Sequence, residues 1–179
     1  MTLATFKSRG LRGSTLEELI NQSNDIYEES HLALIQKIPT PITPIDIDKD
    51  TRHITLAYFD KKSTVDYIGV VQGIPVCFDA KECHATTFPL ANVHEHQIKF
   101  MEEFEQQKGI AFLLIQFSKE DVFYYMRFSE LKSFWDRMLD GGRKSFMFDE
   151  LSEEYFFKAS TSPYVPYLKP LQMDLMNRD

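Results

Sequence analysis

From Thr64 to Lys81 the chain reads Thr-Val-Asp-Tyr-Ile-Gly-Val-Val-Gln-Gly-Ile-Pro-Val-Cys-Phe-Asp-Ala-Lys, two runs rich in β-formers on either side of a Gln-Gly break. A two-residue turn at Gln72-Gly73 makes the runs a β-hairpin and fixes their pairing. Val71 then faces Ile74, and the register carries Asp66 opposite Asp79 and Thr64 opposite Lys81. Side chains alternate along a strand. Thr64, Asp66, Asp79 and Lys81 therefore share one face, and Val65, Tyr67, Val71, Ile74, Val76, Phe78 and Ala80 share the other. The second face is expected to be core and the first to carry chemistry, with Cys77 on it as a small apolar filler. A three-residue loop would shift the register and separate the two carboxylates.

Like charges directly opposite across two strands are destabilising. Asp66 and Asp79 fall in a non-hydrogen-bonded pair, whose Cα atoms stand about 4.5 Å apart. Two carboxylates at that distance call for a cation. Oxygen ligands select a hard ion, Mg²⁺ or Mn²⁺, which commonly shares its shell with a phosphate. Lys81 puts an ammonium on the same face, where charge on a phosphorane can be stabilised or a water oriented. The outline is that of a metal-dependent phosphodiesterase. The competing reading is a salt bridge from Lys81 to one aspartate on a solvated sheet face, the commoner meaning of an isolated D…DxK.

The 179 residues suit one domain, 14–179, preceded by a flexible basic arm, 1–13, and with 42–62 projecting from it. No apolar run approaches the roughly 18 residues of a membrane span, and the N-terminus has no signal-peptide hydrophobic region, so a cytoplasmic protein is expected. Cys77 and Cys83 are too few for a disulfide framework. A net charge of −7 argues against unaided binding to a polyanion. The opening segment softens this, since it carries Lys7, Arg9 and Arg12 with no acidic residue.

Ser14 reads as the N-cap of a helix running to about Glu29, with Glu17 as its capping-box partner; Glu17 can alternatively face the metal site. Leu32 to Ile38 reads as a strand ending in Pro39-Thr40-Pro41. Ile42 to Lys62 alternates apolar and polar residues around a charged middle, a second hairpin with a solvated tip. A helix is expected from Glu95 to Gln107, with Gln97 in its first turn within reach of the carboxylate pair. His94-x-His96 is poor zinc spacing, and no C-x₂-C occurs. Ile110 to Phe117 suits a strand buried on both faces, with Val122 to Phe128 beside it. Ser129 is expected to cap the next helix, Gly141-Gly142 to end it, and Arg143-Lys144 to form a basic turn. A short final helix spans Pro170 to Met176.

Six blocks then carry a resemblance: Arg12-Gly13-x-x-Leu16-Glu17, Lys37-Ile38-Pro39-Thr40-Pro41, Ser63-Thr64-Val65-Asp66-Tyr67-x-Gly69, Phe78-Asp79-Ala80-Lys81-Glu82, Phe88-Pro89-Leu90-x-Asn92-x-His94-x-His96-Gln97 and Phe134-Trp135-Asp136-Arg137. In this order they resemble the RecU family of bacterial Holliday junction resolvases. The resemblance implies a restriction-endonuclease-like α/β fold with a central mixed sheet flanked by helices. It also implies a homodimer with two active sites and Mg²⁺-dependent nicking of four-way DNA junctions. It matches Thr64, Asp66, Asp79 and Gln97 to the metal site, Lys81 to the transition-state stabiliser, and Ile42 to Lys62 to a stalk that enters the junction. The chain departs from the family in carrying Asp79 where Glu is usual. Its stalk sets Asp46, Asp48, Asp50 and Asp60 against Lys49, Arg52, Lys61 and Lys62, where a DNA-entering element is expected to be basic.

Candidate DNA contacts are Arg9, Arg12, Lys37, Arg52, Lys61, Lys62, Arg143 and Lys144. A junction-selective endonuclease is the leading reading. A DNA- or recombinase-binding protein on the same fold and a general nuclease without junction preference are the alternatives. Retention of Asp66, Asp79 and Lys81 favours cleavage, since a site freed from catalysis has no reason to keep two facing carboxylates.

Overall fold

The computed structural model describes residues 15–59 and 64–178. Its elements in chain order are α1 (Leu16–Glu29), β1 (Ala33–Lys37), β2 (Ile42–Ile47), β3 (Ile54–Phe59), β4 (Tyr67–Val71), β5 (Ile74–Cys83), β6 (Thr87–Pro89), α2 (Glu95–Gln106), β7 (Ile110–Phe117), β8 (Val122–Arg127), α3 (Phe128–Leu139), β9 (Ser145–Met147), β10 (Phe156–Phe157) and α4 (Leu168–Met176). Six strands form one sheet in the order β1-β4-β5-β7-β8-β10. Only the β5–β7 pair is parallel, so the sheet is mixed. A central mixed sheet flanked by helices is the architecture the sequence implied.

The β4–β5 hairpin has the expected register, Val71↔Ile74 through Tyr67↔Phe78. Its turn is two residues long because Gln72 and Gly73 both take positive φ, +48° and +85°, the backbone of a type I′ turn that matches strand twist. Gln72 holds this conformation with its own amide, which donates to the carbonyls of His31 at 2.8 Å and Leu32 at 3.3 Å. Pro75 falls opposite Val70, in a non-hydrogen-bonded pair where its missing N–H costs no ladder bond. Across the sheet, Tyr67, Phe78, Phe112 and Tyr125 stack with ring centroids 4.7, 4.7 and 4.4 Å apart. All four are buried, and cross-strand aromatic pairs of this kind pin the register.

The sheet is covered on both faces, as the strand buried on both faces and the flanking helices implied, and the solvated face of the competing salt-bridge reading is absent at Asp79. Strand alternation sends Phe78 and Tyr67 toward α1 and α4, and sends Cys77 and Asp79 toward α2 and α3. Tyr125 donates to Asp174 of α4 at 2.9 Å, Tyr124 to Glu130 of α3 at 2.8 Å, and Gln97 of α2 to Asp79 at 3.0 Å. Cys77 is buried, and burial pushes its thiol pKa up, so filler is the right description of it. All eight residues of β7 are buried, as the continuous apolar run required.

Three boundaries differ from expectation. The N-cap of α1 is Thr15: its hydroxyl accepts from Glu18 N at 3.3 Å, and Glu18 returns a bond to Thr15 N at 2.8 Å. The capping box sits one residue later than the reading from Ser14, which lies outside the described residues, and Glu17 is released from it. Helix α3 begins at Phe128 with Arg127 at its cap, because the chain turns directly from β8 into the helix, so Ser129 is already inside. Helix α4 begins at Leu168, two residues before Pro170, whose missing N–H is harmless in a first turn. Two polar residues, Ser23 and Asn24, join the buried stripe of α1, accepting from Val165 N at 2.9 Å and from the Tyr167 hydroxyl at 2.5 Å.

Strands β2 and β3 pair with each other and with no other strand among the described residues. The tip of this ribbon is built by Asp48, whose Oδ1 accepts from the backbone of Asp50 and Thr51, both at 2.9 Å. Those bonds hold its pKa below the usual carboxylate range. Asp46 accepts the Thr55 hydroxyl at 2.9 Å. Two of the aspartates that looked out of place on a DNA-facing element therefore have local hydrogen-bonding work. Ile45, Ile47, Ile54, Leu56 and Tyr58 are 46–61% exposed along the ribbon.

Candidate active site

Asp66 lies one residue before β4, whose ladder with β5 ends at Tyr67↔Phe78, and its carboxyl group interacts with that of Asp79. Its carbonyl accepts from Ile38 N at 2.8 Å, and its Oδ2 accepts from Ala80 N at 3.0 Å. The second bond turns the carboxylate toward β5. Asp79 sits inside the sheet with no solvent exposure. Its Oδ1 accepts from Gln97 Nε2 at 3.0 Å. Its Oδ2 takes no well-directed hydrogen bond, although the Lys81 ammonium stands 2.5 Å away. Burial, and after it the neighbouring Asp66 carboxylate, push the Asp79 pKa up to about 7 against the pull of Lys81.

Gln97 is held in turn, since its Oε1 accepts from His94 N at 3.0 Å in the first turn of α2. With the amide so oriented, its nitrogen faces Asp79, and its direct effect is to aim that carboxylate. Thr64 is half-buried two residues before Asp66. The structure thus brings Asp66, Asp79, Lys81 and Gln97 together, with Thr64 close to them in the chain. No third His, Cys, Asp or Glu joins the pair as a metal cluster among the described residues.

On the other side of β5 a cavity of about 380 Å³ is lined by Thr15, Leu16, Glu17, Asp66, Tyr67, Ala80 and Glu82. Asp66 is the link between this cavity and Asp79. Freed from the capping box, Glu17 reaches Lys37 at 2.5 Å. Glu82 was not singled out from the sequence; its Oε1 accepts from Leu16 N at 3.1 Å. Period-two alternation places Glu82 opposite Lys81, facing the start of α1, and a helix start needs acceptors. That pairing was the available signal.

The proposed DNA contacts are dispersed. Lys37 is paired with Glu17 beside the cavity, and Arg143 lies 3.3 Å from Glu150, whose other oxygen holds Arg137 at 2.7 Å. Lys144 is exposed, and Arg52 is exposed at the ribbon's tip with φ +58°. Arg9, Arg12, Lys61 and Lys62 lie outside the described residues.

Residues 11–173 match the RecU family, described as Recombination protein U. The Holliday junction resolvase RecU of Pediococcus pentosaceus is 41% identical over 173 residues, covering 94% of this chain and 86% of its own. That of Limosilactobacillus reuteri is 41% identical over 162 residues, covering 88% and 79%. That of Staphylococcus aureus is 41% identical over 165 residues, covering 89% and 79%. Among solved structures, Archaeoglobus fulgidus Hjc, a Holliday junction resolvase, aligns with 62% of this chain and 72% of its own at 6% identity and a TM-score of 0.34, too slight a likeness to carry an argument. The family match runs through the hairpin, the carboxylate pair and the helices on either face of the sheet, and the chain belongs to the RecU family.

Proposed function

We propose that the protein is an endonuclease that resolves four-way DNA junctions by divalent-metal-dependent hydrolysis of phosphodiesters, acting as a homodimer in the cytoplasm. The observation that carries this reading is the crowding of Asp66 against a fully buried Asp79 whose Oδ2 lacks a well-directed hydrogen bond. Two carboxylates forced together, one of them pushed up to about 7, fit a site that a divalent cation completes. Asp66 and Asp79 would hold it, with oxygen from Thr64, the backbone or water filling the shell and Gln97 aiming Asp79. An all-oxygen set selects Mg²⁺, with Mn²⁺ as substitute. Such an ion, when bound, polarises the scissile phosphate and makes water a better nucleophile.

The rest is done by the chain's own groups. Lys81 has part of its side chain in solvent, and its ammonium leaves Asp79 Oδ2 for the phosphate, where it stabilises charge developing on the non-bridging oxygens. Asp66, tied to Ala80 N, keeps its place as that charge moves. The exposed apolar row on the β2–β3 ribbon supports association with a second copy, since a contiguous exposed patch marks an interaction surface. Two copies present two carboxylate pairs to two strands of one junction.

Incubation of the purified protein with a synthetic four-way junction, and with linear duplex of the same sequence, tests the reading. Paired nicks in the junction only, and only with Mg²⁺ or Mn²⁺, are expected. Equal cutting of both substrates would leave a general nuclease, and binding without cutting a DNA- or recombinase-binding protein.

A further inference from the structure

Glu82 follows Lys81 on β5 and faces the opposite side of the sheet. There its Oε1 accepts the N–H of Leu16 at 3.1 Å, joining positions 66 residues apart. Leu16 opens α1, and the N–H groups of a first helical turn have no intrahelical acceptor. Thr15 and Glu18 satisfy each other's backbone at this terminus, so the Leu16 donor falls to Glu82. A carboxylate suits the place, since it also complements the partial positive charge of a helix N-terminus.

The residue after Leu16 is Glu17, which lines the cavity with Asp66 and is held by Lys37 at 2.5 Å. Lys37 precedes Ile38, whose N–H donates to the Asp66 carbonyl at 2.8 Å, and Asp66 Oδ2 returns to β5 at Ala80 N. These contacts close a ring around the cavity, from β5 to α1, to β1, to Asp66 and back to β5. The β5–α1 link in this ring is the Glu82 carboxylate. We infer that Glu82 is a positioning residue for strand cleavage: it docks the first turn of α1 on β5 and so holds Glu17 over the cavity beside Asp66. The inference rests on the nuclease reading of the carboxylate pair.

The test uses the full chain in single-turnover cleavage of a synthetic four-way junction with Mg²⁺, alongside amide hydrogen exchange at the start of α1. Glu82→Met keeps the side chain's length and apolar contacts but removes the acceptor, whereas Glu82→Gln keeps an acceptor oxygen. Glu82→Met is expected to slow cleavage by about tenfold or more, the scale of a hydrogen bond to a charged group. Junction affinity should stay within about twofold of wild type, since the lost group acts through Glu17 and not on DNA. Exchange at Leu16 and Glu17 should speed up, and Glu82→Gln should restore most of both properties. Since Glu82 acts through Glu17, the double variant Glu17→Gln/Glu82→Met should be no slower than Glu17→Gln alone.

Wild-type cleavage or unchanged exchange in Glu82→Met, failure of Glu82→Gln to rescue, or additive losses in the double variant each overturn the inference. An Asp79→Asn control separates it from the reading beneath. If Asp79→Asn is inactive while Glu82→Met is not, positioning alone has failed. If Asp79→Asn cleaves at the wild-type rate, the site assignment has failed and the inference falls with it.

Discussion

Asp79 is a carboxyl group shut away from solvent beside a second carboxylate, and its proton affinity follows from that position. Unfolded, it titrates in the ordinary range near 4; folded, it is pushed up to about 7. The fold therefore binds this proton more tightly than the unfolded chain does. The associated stability is fully present below about pH 4 and is lost as pH rises through 7, a change on the order of a few kcal/mol. Asp79→Asn cannot ionise, so its metal-free form should melt close to wild type at pH 4 and several degrees above it at pH 8. Mg²⁺ should narrow that gap by raising the wild type, and junction cleavage should be abolished. Melting curves at three pH values decide this; a gap that ignores pH would mean that the buried charge is not its source. Lys81→Ala removes the cation that draws the Asp79 pKa down. It should lose cleavage with junction binding retained, and lose stability at pH 8 but little at pH 5, where Asp79 can hold its proton. Equal loss of stability at both pH values with cleavage intact would make Lys81 a structural ion pair only. Asp66, Asp79 and Lys81 were legible in the sequence because a two-residue turn and strand alternation fix them without reference to the rest of the chain. The partnerships of Glu82 with Leu16 and Lys37 with Glu17 were not, since they depend on where α1 packs against the sheet.

Elements were read well where a period or a turn dictates them, as in the β4–β5 hairpin, β7 and α2, and less well at helix starts. The shift of the α1 cap to Thr15 shows why: Ser14 and Thr15 each have a glutamate three residues on, Glu17 and Glu18, so the capping-box pattern fits twice. That α2 and α3 are what covers Cys77 and Asp79 was also hidden, because those two residues look no different in sequence from residues on a solvated face. Gly69 is the residue on which the packing of β1 against β4 turns. A Cβ there would stand 2.1 Å from the Leu34 carbonyl oxygen and 2.7 Å from Ile35 Cα, both backbone atoms that cannot yield without moving the strand. Gly69→Ala should therefore cost about 3 kcal/mol or more, at the upper end for overpacking, seen as a melting point lower by roughly 6–12 °C for a chain of this size. Cleavage should fall with it even below the melting range, since β1 leads into Ile38, the donor to the Asp66 carbonyl. A Gly69→Ala enzyme of wild-type stability would show that β1 can shift at no cost.

At the scale of the whole molecule, a protein of net charge −7 has to hold a polyanion. Long-range attraction is weak for such a protein, so binding depends on a few local cations and, in the proposed dimer, on their presentation twice. Two candidates are already engaged with carboxylates, Lys37 with Glu17 and Arg143 with Glu150, and these contribute less to the distant field than a free cation would. Shape then has more to do. The β2–β3 ribbon pairs with no other strand among the described residues, turns at a tip built by Asp48, and exposes an apolar row. We propose that this element discriminates a branched centre from a continuous helix, because only the branched substrate offers an opening for it. Phosphate contacts elsewhere position either substrate alike. Replacing 46–60 by a tight turn should therefore lower junction affinity by tenfold or more, on the order of the 1.4 kcal/mol that a factor of ten represents, while duplex affinity changes by about twofold or less. The same deletion should lower the dimer fraction if the apolar row is the contact between copies, which sedimentation reads directly. The two measurements belong together at one salt concentration. Junction and duplex affinity falling in parallel would reduce the ribbon to a general contact, and an intact dimer with lost junction preference would move the interface elsewhere and leave the ribbon as the selective element alone.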